Sequence, residues 1–242
     1  MVTFTWPDVE TSSEQYAQRF SGEAGAYLLR VQDDGLRSLL EHARDEGPIR
    51  SALDVGGGHG QLTEALLDTG ADVTIVGSNQ ICAQRLLNGP YAEKVAYRSA
   101  ELLALPYDDH SIDLVTSIRL LAHMTHWHVL IAELCRVSAR YVIIDYPTLL
   151  GLNALSLAAF PLKRAIERDT RIYRSFWPFQ INRIFNRHGF RRCVVYKQFT
   201  APMALHRLLG ARMAGPEEAL RRIGMTRLIG NPVLALFERT EQ

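Results

Sequence analysis

Four of the five residues from Gly56 to Gly60 are glycine, inside the run "ALDVGGGHGQLTEALL" from Ala52 to Leu67. An apolar stretch stops near Asp54, side chains vanish, and a helical pattern follows. Glycine concentrated at such a point means that something approaches the backbone closely. Between a first strand and its helix, the loop presents free backbone N–H groups at the helix start to a ligand. The dinucleotide fingerprint is not met, because Gly56, Gly58 and Gly60 give G-x-G-x-G rather than G-x-G-x-x-G. No Gly-Lys-Ser or Gly-Lys-Thr follows, so a phosphate-cradling P-loop is excluded. Neither hydride transfer with a nicotinamide nor nucleotide hydrolysis is the expected chemistry.

The rest of the chain alternates in the same style. "SALDVG", "ADVTIVG", "KVAYRS", "SIDLVTSI" and "ARYVIIDY" read as five strands rich in Val, Ile and Leu. Helical patterns fall between them at His59 to Thr69, Gln80 to Leu87 and Leu120 to Arg136, and another precedes them between Ser12 and Ala43. Near-continuous apolar strands alternating with helices predict a doubly wound α/β fold, its mostly parallel sheet covered on both faces. Beyond residue 146 the alternation weakens. "RSFWPFQINRIFNRHGF" predicts a helix ending at Gly189, "FRRCVVYKQF" and "NPVLALFER" two more strands, and Met203 to Leu228 helical character, with a helix starting at Pro216.

A chain of 242 residues with 47% hydrophobic content suits a single α/β domain. Its net charge of +1 hides an asymmetry: residues 1–162 hold 11 Lys and Arg against 20 Asp and Glu, whereas residues 163–242 hold 16 against 6. The basic C-terminal third suits an anionic substrate or surface, or simply a solvated face. Cys82, Cys135 and Cys193 form no CxxC and no even set, which predicts reduced thiols and a cytoplasmic protein. The N-terminus has no basic start followed by an apolar stretch, so no signal peptide is expected. No charge lies between Asp145 and Lys163. Proline breaks this stretch and it is short for a bilayer, so no transmembrane segment is expected. It suits a greasy pocket, peripheral membrane contact, a homodimer surface or a buried helix.

The pattern D-x-G-x-G-x-G at Asp54, Gly56, Gly58 and Gly60 resembles the first motif of class I S-adenosylmethionine-dependent methyltransferases. "AELLALPYDDHSIDLVTSIRLLAHM", "ELCRVSARYVIIDYP" and "HGF" at 188–190 are similar to later family segments in the same order. The resemblance covers residues 50–146 well and 176–198 loosely, and is nearest to the small-molecule enzymes that include the quinone C-methyltransferases. It implies a seven-stranded sheet of order 3-2-1-4-5-7-6 with an antiparallel last strand, in one domain. Residues 1–48 would be a helical cap, 49–146 the cofactor core, and 147–175 and 199–230 substrate covers.

The resemblance also implies S-adenosyl-L-methionine as cofactor. Gly56, Gly58 and Gly60 would admit its methionyl end, with Asp54 holding the loop and the amino group. Two family positions are altered. The acid that ends strand two and accepts the ribose hydroxyls is replaced by Gly77, followed by Ser78, and the aspartate near the adenine by Ser99, followed by Ala100 and Glu101. Ser117, closing strand four, is counted with the cofactor positions. In related enzymes an N-terminal helix closes over the cofactor; Tyr16 and Phe20 lie one turn apart here, and Arg19 suits the cofactor carboxylate.

Methyl transfer needs alignment, exclusion of water and, for a protonated acceptor, a base. His123 matches a family histidine after strand four, and Asp145 ends strand five, where α/β sheets carry functional groups. A helix cap and a loop anchor are their plain alternatives. His123, His126 and His128 do not share a helical face and no acidic cluster adjoins them, so no metal is expected. Arg164, Arg168 and Arg171 line one helical face, and Tyr173, Phe176, Trp177 and Phe179 suit the wall of a pocket, or equally an ordinary cover helix and core. The resulting expectation is methyl transfer to a small hydrophobic or amphiphilic acceptor, in secondary metabolism or lipid modification. Two other classes stay open: a catalytically silent relative that binds a ligand or partner, and a nucleic-acid methyltransferase. Against the latter, no NPPY-like or Pro-Cys signature is present, and no nucleic-acid partner is expected.

Overall fold

The computed structural model describes residues 6–150, 173–202, 205–206 and 209–240. Arg164, Arg168, Arg171 and most of the first expected cover, 147–175, lie outside the described residues.

The strands are β1 (Ser51–Val55), β2 (Asp72–Gly77), β3 (Ala96–Ser99), β4 (Ile112–Ser117), β5 (Ser138–Tyr146), β6 (Phe190–Phe199) and β7 (Asn231–Arg239). They form one sheet in the order β3-β2-β1-β4-β5-β7-β6. The first five pair in parallel, and β7 lies antiparallel between β5 and β6. Successive strand residues point to opposite faces. Val55, Val115, Val142, Ile144 and Phe237 therefore enter one core, while Ala52, Leu114, Ile143, Leu234 and Leu236 enter the other. Two buried faces account for the continuous apolar strands seen in the sequence.

The helices are α1 (Pro7–Thr11), α2 (Glu14–Ala17), α3 (Gly22–Asp45), α4 (Thr63–Leu67), α5 (Gln84–Leu87), α6 (Trp127–Val137), α7 (Pro178–Arg187), α8 (Ala214–Arg222) and α9 (Met225–Ile229). In α3, Leu36, Leu39, Leu40 and Ala43 recur at helical spacing and fill the second core. Gly35 lets α3 come close to the sheet: a Cβ there would lie 2.5 Å from the Tyr196 ring and 2.8 Å from Leu234.

Several helices are shorter than their sequence pattern; Gln80 to Leu87, for one, opens as a 3-10 turn, Gln80–Ala83, before α5. The segment expected from His59 becomes α4 only at Thr63, because the glycine loop continues as a tight turn in which Gly60 N–H donates to Gly57 O at 2.9 Å. The segment expected from Leu120 is a 3-10 turn, Leu121–His123, broken by extended Met124 before α6 begins. Met124 is buried in the first core, a position the extended residue serves. In the second expected cover, α9 packs on β6 and on α8, and the 3-10 turn Gly210–Met213 that leads into α8 packs on α3.

Candidate active site

The C-terminal ends of the parallel strands gather the candidate groups. At β1 the Gly56 N–H donates to Val76 O at 2.8 Å, and the chain then turns through positive φ at Gly56 (81°) and Gly60 (70°). These left-handed angles are what glycine supplies without strain. Asp54 is fully buried beneath the turn, and its Oδ2 occupies the space a Gly57 side chain would need. Thr116 donates to its Oδ1 at 2.9 Å, whereas Oδ2 has no hydrogen-bond partner. Burial pushes this carboxyl up to about 7, against the opposing Thr116 bond. An orphaned carboxylate oxygen under a loop without side chains fits a ligand that brings an ammonium group or other N–H donor.

The strand order reverses between β1 and β4, which places a crevice there. Arg119, just past β4, spans it. Its Nη1 donates to Gln61 Oε1 at 2.5 Å, its guanidinium sits 4.0 Å above the Phe20 ring centroid, and Tyr16 is within hydrogen-bonding reach. Arg119 has a φ of 63°, unusual for a residue with a side chain, and its N–H donates to Asp145 Oδ1 at 2.6 Å. Burial raises the Asp145 carboxyl to about 6, although the Arg119 N–H and charge oppose it. His59 Nδ1 accepts from the Gln61 N–H at 3.1 Å. Burial, reinforced by the Arg119 charge, lowers His59 to about 3, so it is neutral at physiological pH.

The tip of β2 is closed by the N-terminal segment. Asp8 of α1 is fully buried; the Ser78 N–H donates to its Oδ2 and the Ser78 hydroxyl to its Oδ1, both at 2.6 Å. The Cys82 thiol donates to Oδ2 at 3.5 Å. The same segment brings Ser12 to the glycine loop: a Gly58 side chain would meet the Cys82 carbonyl and lie 2.6 Å from Ser12 Oγ.

Other candidates fall in varied places. Gly77 and Ser99 are register partners, and the Ala100 N–H donates to Gly77 O at 3.0 Å, so the β2 and β3 tips adjoin. Ser99 and Glu101 are exposed. Ser117 is buried and donates to Val55 O at 3.1 Å, a tie between β4 and β1. Tyr16 and Phe20 rings lie 5.6 Å apart, and Arg19 stacks on Tyr16 and pairs with Glu10 at 3.6 Å. His123 packs on Tyr173 with ring centroids 5.6 Å apart. Among Tyr173, Phe176, Trp177 and Phe179, only Phe176 is buried; it meets Trp127 and Tyr146. Among the described residues, no group of three or more His, Cys, Asp or Glu could hold a metal ion. Sequence reading missed Asp8, Ser12, Gln61, His59 and Arg119. Only Arg119 carried a signal, as the lone charge in the apolar run "TSIRLLAHM".

A mostly parallel seven-stranded sheet with β7 reversed, and a glycine loop at the tip of β1, define a Rossmann-like methyltransferase fold. Residues 53–141 match the methyltransferase domain family. No curated protein matches the chain in sequence. Magnesium protoporphyrin IX methyltransferase from Synechocystis PCC 6803, solved with bound S-adenosylhomocysteine, is similar over 96% of this chain and 97% of its own, with 15% identity and a TM-score of 0.62. A SAM-dependent methyltransferase from Thermotoga maritima is similar over 98% and 99%, with 14% identity and a TM-score of 0.62. The 4+2 cyclase SpnF is similar over 85% and 81%, with 15% identity and a TM-score of 0.55. Identities this low carry the fold, not the substrate.

Proposed function

We propose that this chain transfers a methyl group from S-adenosylmethionine to a small hydrophobic or amphiphilic acceptor, in secondary metabolism or lipid modification. The observation that carries the reading is the orphaned Asp54 Oδ2 beneath the glycine loop, beside the crevice that Arg119 and Gln61 bridge. When bound, the cofactor supplies an electrophilic methyl group. Gly56, Gly58, Gly60 and Asp54 hold its methionyl end, and Arg119 with Tyr16 and Arg19 offers positive charge and hydrogen bonds to a carboxylate. Gly77, Ser78, Ser99, Ala100 and Glu101 border its nucleoside. Asp145, raised toward neutrality by burial, is positioned to take a proton from the acceptor, and His123 is the second candidate base. The unpaired thiols support a reducing, cytoplasmic setting. Among the described residues no helix is long and apolar enough to cross a membrane. The uncharged stretch after Asp145 leaves a peripheral membrane contact or a homodimer face within this reading.

The test is calorimetric titration of wild type and Gly58→Arg with S-adenosylmethionine and S-adenosylhomocysteine. Micromolar binding that the substitution abolishes supports the reading and justifies screening hydrophobic acids as acceptors. No binding by wild type up to millimolar ligand sinks it.

A second reading has its own observation. Ser12 and the Cys82 carbonyl cover Gly58, which suits a methyltransferase-fold protein that has given up methyl transfer. SpnF, a cyclase on this fold, is a precedent for other chemistry. Cofactor binding without turnover of any acceptor would favour this second reading.

A further inference from the structure

In doubly wound folds that bind nucleosides, a carboxylate at the tip of the second strand accepts from the ribose hydroxyls. Position 77 cannot carry one here. A Gly77 side chain would meet the Tyr97 hydroxyl, which is fixed by donating to Asn79 O at 2.6 Å, and would lie 3.0 Å from Cys82 Cβ. The acid arrives from elsewhere in the chain: Asp8, 70 residues earlier, sets both carboxylate oxygens on Ser78, the residue that follows Gly77. We infer that Asp8 is the ribose-binding carboxylate of this site, supplied by the N-terminal segment instead of by β2. This inference rests on the methyl-transfer reading.

The surroundings of Asp8 support the assignment. Its side-chain oxygens take bonds from one backbone N–H, one hydroxyl and one thiol, all neutral. Among the described residues no Lys, Arg or His forms an ion pair with it. A buried carboxylate without a cation is costly, and an apolar residue on α1 would fill the space more cheaply. A carboxylate has about four acceptor sites. The thiol contact at 3.5 Å is the weakest of the three present, so capacity remains for a diol. Ser12, four residues on, lies against Gly58, so one short segment touches both the methionyl and the ribose ends of the site.

The experiment titrates the full chain, as wild type, Asp8→Asn and Asp8→Ala, with S-adenosylhomocysteine and with its 2′,3′-dideoxy analogue. Wild type is expected to prefer the hydroxylated ligand at least tenfold. Asp8→Asn is expected to weaken that ligand roughly ten- to a hundredfold and leave the dideoxy analogue unchanged, erasing the preference. A preference that persists in Asp8→Asn overturns the inference. So does tighter binding by either variant, which would make Asp8 a plug that the cofactor displaces. If Asp8→Ala does not fold, wild type still decides, since equal affinity for the two ligands overturns the assignment. Failure of wild type to bind either ligand removes the methyl-transfer reading and this inference together; binding that is indifferent to Asp8 removes this inference alone.

Discussion

Arg119 and Asp145 are joined through the backbone: the Arg119 N–H, not its guanidinium, donates to Asp145 Oδ1 at 2.6 Å. The bond holds Arg119 at a φ of 63°, which costs a residue with a Cβ roughly 1–2 kcal/mol. Removing the acceptor with Asp145→Ala leaves a partly buried N–H unpaired. A loss of about 1–3 kcal/mol in urea unfolding is expected, with a smaller loss for Asp145→Asn, whose amide oxygen still accepts. An Asp145→Ala variant as stable as wild type would show that the bond does not hold the turn.

The same geometry supplies a clean probe of the guanidinium. Glycine adopts the Arg119 backbone angle without strain, so in Arg119→Gly that relief offsets part of what is lost with the Gln61 bond and the Phe20 stacking, and only a small drop in melting temperature is expected. The variant's affinity for S-adenosylhomocysteine should fall at least tenfold, as expected when a charged hydrogen bond to a carboxylate is lost. Unchanged affinity would remove Arg119 from the cofactor site.

Asp54 makes stability depend on pH in a stated direction. Its folded value, about 7, lies above the ordinary 3.8, so the native state holds the proton more tightly than the unfolded chain. That contribution is complete below the ordinary value and is lost as pH rises from about 4 through 7, a change on the order of 4 kcal/mol. His59 acts oppositely, because its lowered value costs stability as pH falls below 6.5. The Asp54 contribution is therefore read as the difference between wild type and Asp54→Asn. Unfolding free energies should show wild type losing ground to the variant as pH climbs from 4 to 8; a flat difference would refute the buried, protonatable Asp54.

Two glycine substitutions separate crowding from mere helix propensity. Gly58→Ala drives a Cβ into the Cys82 carbonyl and to 2.6 Å from Ser12 Oγ, and is expected to cost about 1–3 kcal/mol. Gly215→Ala, exposed in α8 and clear of everything beyond its chain neighbours, meets only the ring of Pro216 and is expected to change stability by no more than about 0.5 kcal/mol. Thermal melts in which the two variants lost equally would contradict the packing of the N-terminal segment on the loop.

The strands were legible because burial on both faces writes itself into consecutive residues. "FRRCVVYKQF" and "NPVLALFER" coincide with β6 and β7, and the sheet order follows from the family resemblance of the glycine loop and its successors. What the sequence hid is tertiary. Nothing in "PDVET" sets Asp8 apart from a solvated acid in a first helical turn, because its meaning comes from Ser78, 70 residues away. Gly77 reads in sequence as a missing acid, and in space as a position closed by Tyr97. The early break before α6 was equally invisible, since Leu120 to Arg136 keeps helical periodicity while burial of Met124 calls for an extended residue.

Glu217 gives a prediction for the segment between β6 and β7. It is buried and accepts from the Thr200 N–H at 2.9 Å and the Ala201 N–H at 2.6 Å, and His206 Nε2 lies 3.1 Å away. Burial pushes its carboxyl up, but the His206, Thr200 and Ala201 bonds together outweigh this and leave it below the ordinary 4.5. A lowered carboxylate adds stability above its ordinary value and loses it as pH falls through the folded one. Glu217→Ala strands two backbone donors and is expected to cost about 2–4 kcal/mol near neutrality. Glu217→Gln keeps an acceptor and should cost less. Its deficit against wild type should shrink as pH drops below 4.5, where wild type loses the carboxylate as well. A deficit that stays constant from pH 7 to pH 3 in denaturant titrations would mean that the charge on Glu217 contributes nothing to docking α8 against β6.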